Sequence, residues 1–354
     1  MTGNLLLPIW LAYVINMPFG WNLWQNSQSK STEETNLDKA SEKVFQKDKR
    51  FMGPLYVFVL NDLLTWLWCL CVVSEYAFFE QTSYGYLFEN HQGDSLGKWA
   101  VFTFVWGYMA GVNGLAGHEL IHKRDPFNKM LGMFTFSKIL YSHFLLEHSN
   151  GHHRNVATPE DSATAAKNEN FYCFAVKSAW GGHANTFKRE QARIKSEHEE
   201  FANESTSPSL LKYFLHNRMT WFLALQAGIL IAIQMVFGVR GVVFQLAYSF
   251  VGIFFIELIN YTEHYGLERK KDSRGIYEPI SAQHSWNSVS SPLLFRIQRH
   301  SDHHVHAYKP YQILRRIDKA PTMPFDYLYS MLLGLVPPLW YRTMNPLVDK
   351  INKR

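Results

Sequence analysis

The chain has 354 residues, 47% of them hydrophobic and only 18% charged, below the quarter usual for soluble domains. Aromatics reach 16%, with 11 Trp, and the net charge is +5. This composition excludes a disordered chain, a collagen and a coiled coil. Three Cys exclude a disulfide framework and any four-thiolate metal site within the chain. Nothing in the charge pattern points to nucleic acid. Mean hydropathy is slightly negative and leaves the membrane question to the distribution of residues.

Five apolar runs of about 20 residues lack Lys and Arg: Leu5–Trp24, Pro54–Val73, Trp99–Gly117, Met219–Phe237 and Val242–Tyr261. That length covers a hydrocarbon core of about 30 Å as a helix. Asp62 and Glu257 interrupt two of them, and a carboxylate at that depth should face protein or a water-filled cavity. The N-terminus has no basic region before Leu5, so no cleavable signal peptide is expected. Segment 25–53 is polar and carries six Lys/Arg, whereas segment 74–98 carries one. If all five runs span, 33 of the 35 basic residues fall on one side, which the positive-inside rule assigns to the cytoplasm. Segment 25–50 reads as a partly mobile linker. Segment 131–146 is too short to span and reads as an interfacial or re-entrant helix. The expected fold is all-α: an integral membrane helical bundle with a cytosolic helical cap. Residues 1–98 would form N-terminal spans and linker, 99–348 the core and 349–354 a tail.

Sixteen His are the compositional outlier. Nine fall in four clusters: His118-Glu-Leu-Ile-His122, His148-Ser-Asn-Gly-His152-His153, His264, and His300-Ser-Asp-His303-His304. Each cluster lies on the side that the charge bias calls cytoplasmic. On an α-helix, residues three or four apart share a face, so 118/122, 148/152 and 300/303/304 are each expected to aim several imidazoles at one point. A tetrahedral zinc site takes four ligands, and nine suit two ions with an open position. Imidazole suits iron, copper, zinc and nickel, and O2 chemistry favours iron or copper. Glu119, Glu147, Glu263 and Asp302 sit beside these histidines and are expected to accept the imidazoles' second N–H. The scattered His91, His143, His183, His198 and His216 are read as surface or packed side chains. His118-Glu119-x-x-His122 also fits a zinc-protease motif, but that reading leaves seven histidines idle.

At these residues the chain resembles the integral-membrane alkane 1-monooxygenases, within the membrane fatty-acid desaturase and hydroxylase class. The strings are NGLAGHELIHK (113–123), EHSNGHHRNVATPED (147–161), NYTEHYGLER (260–269) and QRHSDHHVHAYKPYQILRR (298–316), with HSWNS (284–288) and the 336–346 ending matching as well. The resemblance is strong over about 99–348 and weaker before it. It implies a diiron centre on His118, His122, His148, His152, His153, His264, His300, His303 and His304. His284 lies in a family string but is not an implied ligand. The family has six spans against the five found here, so the first is expected to be missing, and Ala307 replaces a family Pro.

The implied reaction is terminal hydroxylation, R–CH3 + O2 + 2e− + 2H+ → R–CH2OH + H2O, with O2 as co-substrate. An alkane or other long apolar chain is the implied substrate, and electrons come from a separate rubredoxin-like protein. A desaturase or hydroxylase acting on fatty-acyl or sterol chains is the alternative. Trp10, Tyr13 and Trp106, with Phe254 and Phe255, are candidate linings of a substrate channel between spans.

Overall fold

A computed structural model describes residues 36–76, 95–202, 209–289 and 295–353. Among the described residues the chain is helical, without a named strand. The first apolar run with Trp10 and Tyr13, the linker before residue 36, and His91 lie outside the described residues.

Helix α1 (Lys39–Lys47) starts at an Asp38 cap, whose carboxylate accepts the Ala40 and Ser41 N–H groups. It falls inside the segment expected to be partly mobile, yet it is docked. Asn36 exchanges hydrogen bonds with the Arg316 backbone, Gln312 Nε2 donates to the Phe45 carbonyl, and Arg315 pairs with Glu42. Polarity alone did not reveal these partners, because they lie some 270 residues away.

Helix α2 (Met52–Val73) and helix α3 (Leu96–Ile121) contain the second and third apolar runs. Asp125 caps α4 (Pro126–Ser137), with Pro126 in the first turn, where its missing N–H costs nothing. Helix α4 doubles back along α3, and the approach is close. A Cβ on Gly132 would lie 2.7 Å from the Gly117 carbonyl, and one on Gly117 would lie 2.9 Å from Thr135. Small residues allow this contact, as they do in membrane bundles.

A short helix α5 (Phe144–Glu147) leads into a π turn (His148–His152) and α6 (His153–Asn155). The long α7 (Phe171–Ala202) and short α8 (Leu210–His216) follow. Then come α9 (Arg218–His264), α10 (His300–Val305), α11 (Tyr327–Gly334) and α12 (Pro337–Asn352).

Helix α9 has 47 residues, which as one rod would reach about 70 Å, twice what a bilayer needs. Gly238 breaks it, with φ +77° and ψ −174°. A Cβ on Gly241 would meet the Ile233 side chain at 3.1 Å, a contact that eight residues of straight helix cannot make, so the chain folds back here. Glycine is required at 238: its φ is positive, and a Cβ would collide with the Glu75 carboxylate. The break falls between the fourth and fifth apolar runs. Two described helical stretches, Lys49–Val73 and α9, are long and apolar enough to cross a membrane. Only 11% of the most apolar part of α9 is buried, and Trp221, Ile231, Met235, Val243 and Phe250 face outward. The core helix of a soluble protein would instead be mostly buried.

Asp62, expected to seek protein, finds it. Its carboxylate lies 3.0 Å from Lys138 Nζ and accepts the Asn113 amide at 3.1 Å. Lys138 Nζ also donates to Tyr248 Oη at 2.7 Å, and its carbonyl accepts Gln245 Nε2 at 2.6 Å. Lys138 is 1% exposed, so the segment read as interfacial carries its charge into the bundle. The pair joins α2, α3, the chain after α4, and α9. Removing one member leaves an uncompensated buried charge. Asp62→Asn is expected to cost about 3–5 kcal/mol, seen as a lower unfolding midpoint in detergent. Asp62→Leu with Lys138→Met should recover much of that loss. A double variant no more stable than the single one would show that the network, not the charge, carries the stability.

Candidate metal centre

The four histidine clusters sit at segment ends that converge. His118 and His122 close α3, where α4 packs against its last turn. His264 ends α9. His300, His303 and His304 lie on α10, which starts against the HSWNS string: Ser301 N–H donates to Asn287 Oδ1, and Trp286 N–H donates to the Glu263 carbonyl. His284 turns away and accepts the Ser281 N–H at Nδ1.

The nine imidazoles form two groups, within each of which the ligand atoms lie no more than 4.8 Å apart. One holds His118, His122, His148, His153 and His303, and the other holds His152, His264, His300 and His304. This corrects the expected pairings. His148 and His152 do not aim at one point, and His303 parts from His300 and His304. The physical reason is local. The π turn bonds the His153 N–H to the His148 carbonyl, so residues five apart share a face there. In α10, consecutive residues diverge by about 100°. Each His-His dipeptide therefore sends one ring to each group. The groups adjoin, with the His153 and His304 rings stacked at 4.4 Å.

The nitrogens themselves argue for cations. His148 Nε2 lies 2.7 Å from His118 Nε2 and 3.0 Å from His153 Nε2, which is 3.1 Å from His303 Nε2. His300 Nε2 lies 3.1 Å from His264 Nε2, 3.0 Å from His304 Nε2 and 3.2 Å from Glu263 Oε2. An imidazole nitrogen has one proton or one lone pair, so it cannot satisfy two or three such neighbours by hydrogen bonds. His122 Nε2 and His152 Nε2 are buried with no hydrogen-bond partner. Nitrogens at about 2.0–2.1 Å from one ion and at right angles would be roughly 3 Å apart. Burial, and then the neighbouring imidazoles, hold His148, His153, His300, His303 and His304 well below their ordinary pKa. These rings are neutral at pH 7, with lone pairs available.

The carboxylates behave differently from one another. Glu263 reaches the second group and accepts the Tyr327 hydroxyl at 2.6 Å. Glu119 binds Lys123 and the Tyr311 N–H, Glu147 binds Arg189 and Thr186, and Asp302 binds His306, Lys309 and the Arg315 N–H. Those three brace the segments that carry the histidines rather than accepting from the nine rings. Glu119, turned to Lys123, is also misplaced for a protease base. Sequence reasoning missed Asp161, whose Oδ2 lies 2.8 Å from His152 Nδ1 and which is itself held by Thr164 Oγ1. It fixes the His152 tautomer so that Nε2 faces the group. Asp161 lies nine residues from His152, outside any helical spacing. The signal was its place in the quoted 147–161 string.

A pocket opens onto both groups. Gly111, Gly114, Leu115, Phe136, Phe144, Ile256, Ile259 and Ile297 line it, with His118, His148, His300, Asn260 and Glu263. Trp106, expected in a channel, packs instead against Trp68 and Phe102. Phe254 and Phe255 likewise pack on Phe171 and Tyr108. The pocket walls come from five separated segments, and no single helix face announces them.

The fatty acid desaturase family profile matches residues 97–333. Alkane 1-monooxygenase 2 of Alcanivorax borkumensis is 35% identical over 270 residues, covering 75% of this chain and 67% of its own. Alkane 1-monooxygenase 1 of Pseudomonas aeruginosa is 35% identical over 270 residues, covering 71% and 68%. The xylene/toluene monooxygenase hydroxylase component of Pseudomonas putida is 28% identical over 245 residues, covering 68% and 61%. The chain thus belongs to the fatty acid desaturase family and, within it, to the alkane 1-monooxygenases.

Because the groups are distinct, their losses should be too. His122→Ala is expected to lower bound metal toward one ion per chain, and His264→Ala to do the same at the other group. His216→Ala should leave the metal content unchanged. Metal analysis of the purified variants checks this. Full metal content in either ligand variant would remove that residue from the centre.

Proposed function

We propose that this protein hydroxylates the terminal methyl of an alkane to a primary alcohol at a diiron centre held by the nine histidines. The observation that carries the reading is the apolar pocket ending on imidazoles of both groups, with no Lys or Arg among its described lining residues. An acyl substrate with an anionic headgroup would call for such a cation. An alkane needs only apolar contact, at about 0.8 kcal/mol per buried CH2. Five donors in one group exceed tetrahedral zinc, and an all-imidazole set suits iron.

Bound iron would supply O2 activation and hydrogen abstraction. The protein's residues do the rest. Asp161 orients His152, and Glu263 stands beside His300 with its other oxygen held by Tyr327. Leu115, Ile256, Ile259 and Ile297 exclude water and hold the chain. A terminal C–H is stronger than internal ones, so position must decide the product, and a pocket walled by these side chains would present only the chain end. A separate rubredoxin-like protein would deliver the electrons. The charge bias favours a multi-pass topology with the histidines on the cytoplasmic side.

Gly114 tests the pocket. A Cβ there would sit 3.5 Å from Ile256 Cδ1, an ordinary contact, so a side chain is accommodated but takes up pocket space. Gly114→Val is expected to lower turnover of long alkanes more than of short ones, with metal content unchanged and the 1-alcohol still the product. Mass spectrometry of products from cells given alkanes and acyl substrates reads both points. Secondary alcohols, or double bonds in acyl chains, as the main wild-type product would promote the desaturase alternative.

Topology is tested at the Gly238 fold. In a background with Cys69, Cys71 and Cys173 replaced by Ser, Val239→Cys should react with an impermeant thiol reagent in intact cells. Lys43→Cys should react only after the cells are opened. The reverse pattern would put the histidines on the outer face.

A further inference from the structure

The proposed reaction consumes two protons per turnover, and the site is buried behind apolar walls. The imidazoles that face the pocket are engaged as ligands in that reading. The protons need a path, and one polar chain reaches the pocket from elsewhere.

Glu257 is 1% exposed, four residues before the end of the Val242–Tyr261 apolar run. An apolar residue would pack there at lower cost, since an intramembrane carboxylate is expensive. Its Oε2 accepts Asn260 Nδ2 at 3.4 Å, and Asn260 lines the pocket with Glu263 and His300. Its Oε1 accepts the Tyr141 hydroxyl at 2.6 Å, and the Ser178 side chain bonds it as well. The Tyr141 ring meets His143 edge-on at 4.6 Å, and His143 meets His183 at 5.0 Å. His183 is half-buried on α7, one turn from Trp180, which is 76% exposed. His143 and His183 are two of the histidines that the metal reading leaves unused. In order they run from the surface inward to the carboxylate.

We propose that Glu257 is the internal proton carrier of the hydroxylation, fed from the surface by His183, His143 and Tyr141. The inference rests on the oxygenase reading above. A proton collected at His183 passes to His143 and on to Tyr141 as the imidazoles, whose rings already touch their neighbours, turn to present a nitrogen. Tyr141 gives its hydroxyl proton to Glu257 Oε1 and takes another from the His143 side. Glu257 releases a proton from Oε2 beside Asn260 into the pocket. Nothing is oxidised or reduced along the path. The two protons consumed come from solvent, and the electrons come from the one-electron donor protein. Asn260 is a positioning residue that holds Oε2 at the pocket wall.

The test compares wild type, Glu257→Gln, Glu257→Asp and His183→Phe as purified, iron-loaded proteins. Iron per chain and alkane binding are measured on the same samples as turnover. Glu257→Gln keeps the shape and loses the transferable proton. It is expected to retain iron and alkane binding, lose about 10²-fold in kcat, acquire a solvent deuterium isotope effect that wild type lacks, and release hydrogen peroxide in place of alcohol. Glu257→Asp should recover part of the rate. His183→Phe, at the outer end and two ring contacts removed from the Tyr141 that bonds Glu257, should show a smaller loss with the same isotope effect. It keeps the test alive if Glu257→Gln does not fold.

A Gln variant with wild-type kcat and no isotope effect would overturn the carrier role. So would losses that merely track iron content, or a His183→Phe variant without any isotope effect. A wild type that makes no alcohol from alkanes would instead fail the functional reading, which keeps the two failures apart.

Discussion

Inward-facing lone pairs govern this molecule. Imidazole nitrogens crowded to about 3 Å from two neighbouring rings repel unless a positive charge sits among them, because a nitrogen with one proton or one lone pair cannot bond both neighbours. Everything around the rings acts to hold them in that position. Asp161 fixes one tautomer, Trp286 and Asn287 tie the end of α9 to α10, and Glu119 and Asp302 clamp the chain between Lys309 and Arg315. Folding and metal capture are coupled in such a site, since the unfolded chain offers no preformed set of donors.

The helices that carry the rings approach one another through small residues. Gly107 and Gly111 of α3 lie against Val251, Gly252 and Phe255 of α9, and Gly117 lies against α4. In hydrocarbon, apolar burial gives helices little reason to associate, so close backbone packing and internal polar bonds do more of the work. The Asp62–Lys138 pair and the Gln245 amide supply those bonds at depth. The same close approach leaves room for the pocket, because Gly111 and Gly114 present no side chain to it.

Much of this was legible in the residues. The apolar runs marked where α2, α3 and both halves of α9 fall, and the nine histidines stood out by spacing. Their allocation was not legible, because α-helical periodicity assigns 148 with 152, and only the π turn pairs 148 with 153. Carboxylate roles were read from adjacency in sequence. Three of the four instead meet Lys, Arg or Thr partners, only Glu263 reaches one of the nine rings, and a further acid that holds a ring, Asp161, was adjacent to none. The pocket escaped for a related reason. Trp106 is large, aromatic and buried, yet burial in a helix interface looks the same in sequence as burial beside a cavity.

The split His-His dipeptides have a consequence for how such a centre can change. At 152/153 and at 303/304, neighbouring residues serve different foci. A substitution there subtracts one donor from one focus. An insertion or deletion of a single residue upstream in either segment rotates both rings at once and exchanges or empties both destinations. The two foci are therefore separable by point mutation but inseparable by changes in length. Lineages of this fold should vary freely in loop length elsewhere while keeping these two stretches in fixed register, so that the pair of sites is inherited as a unit.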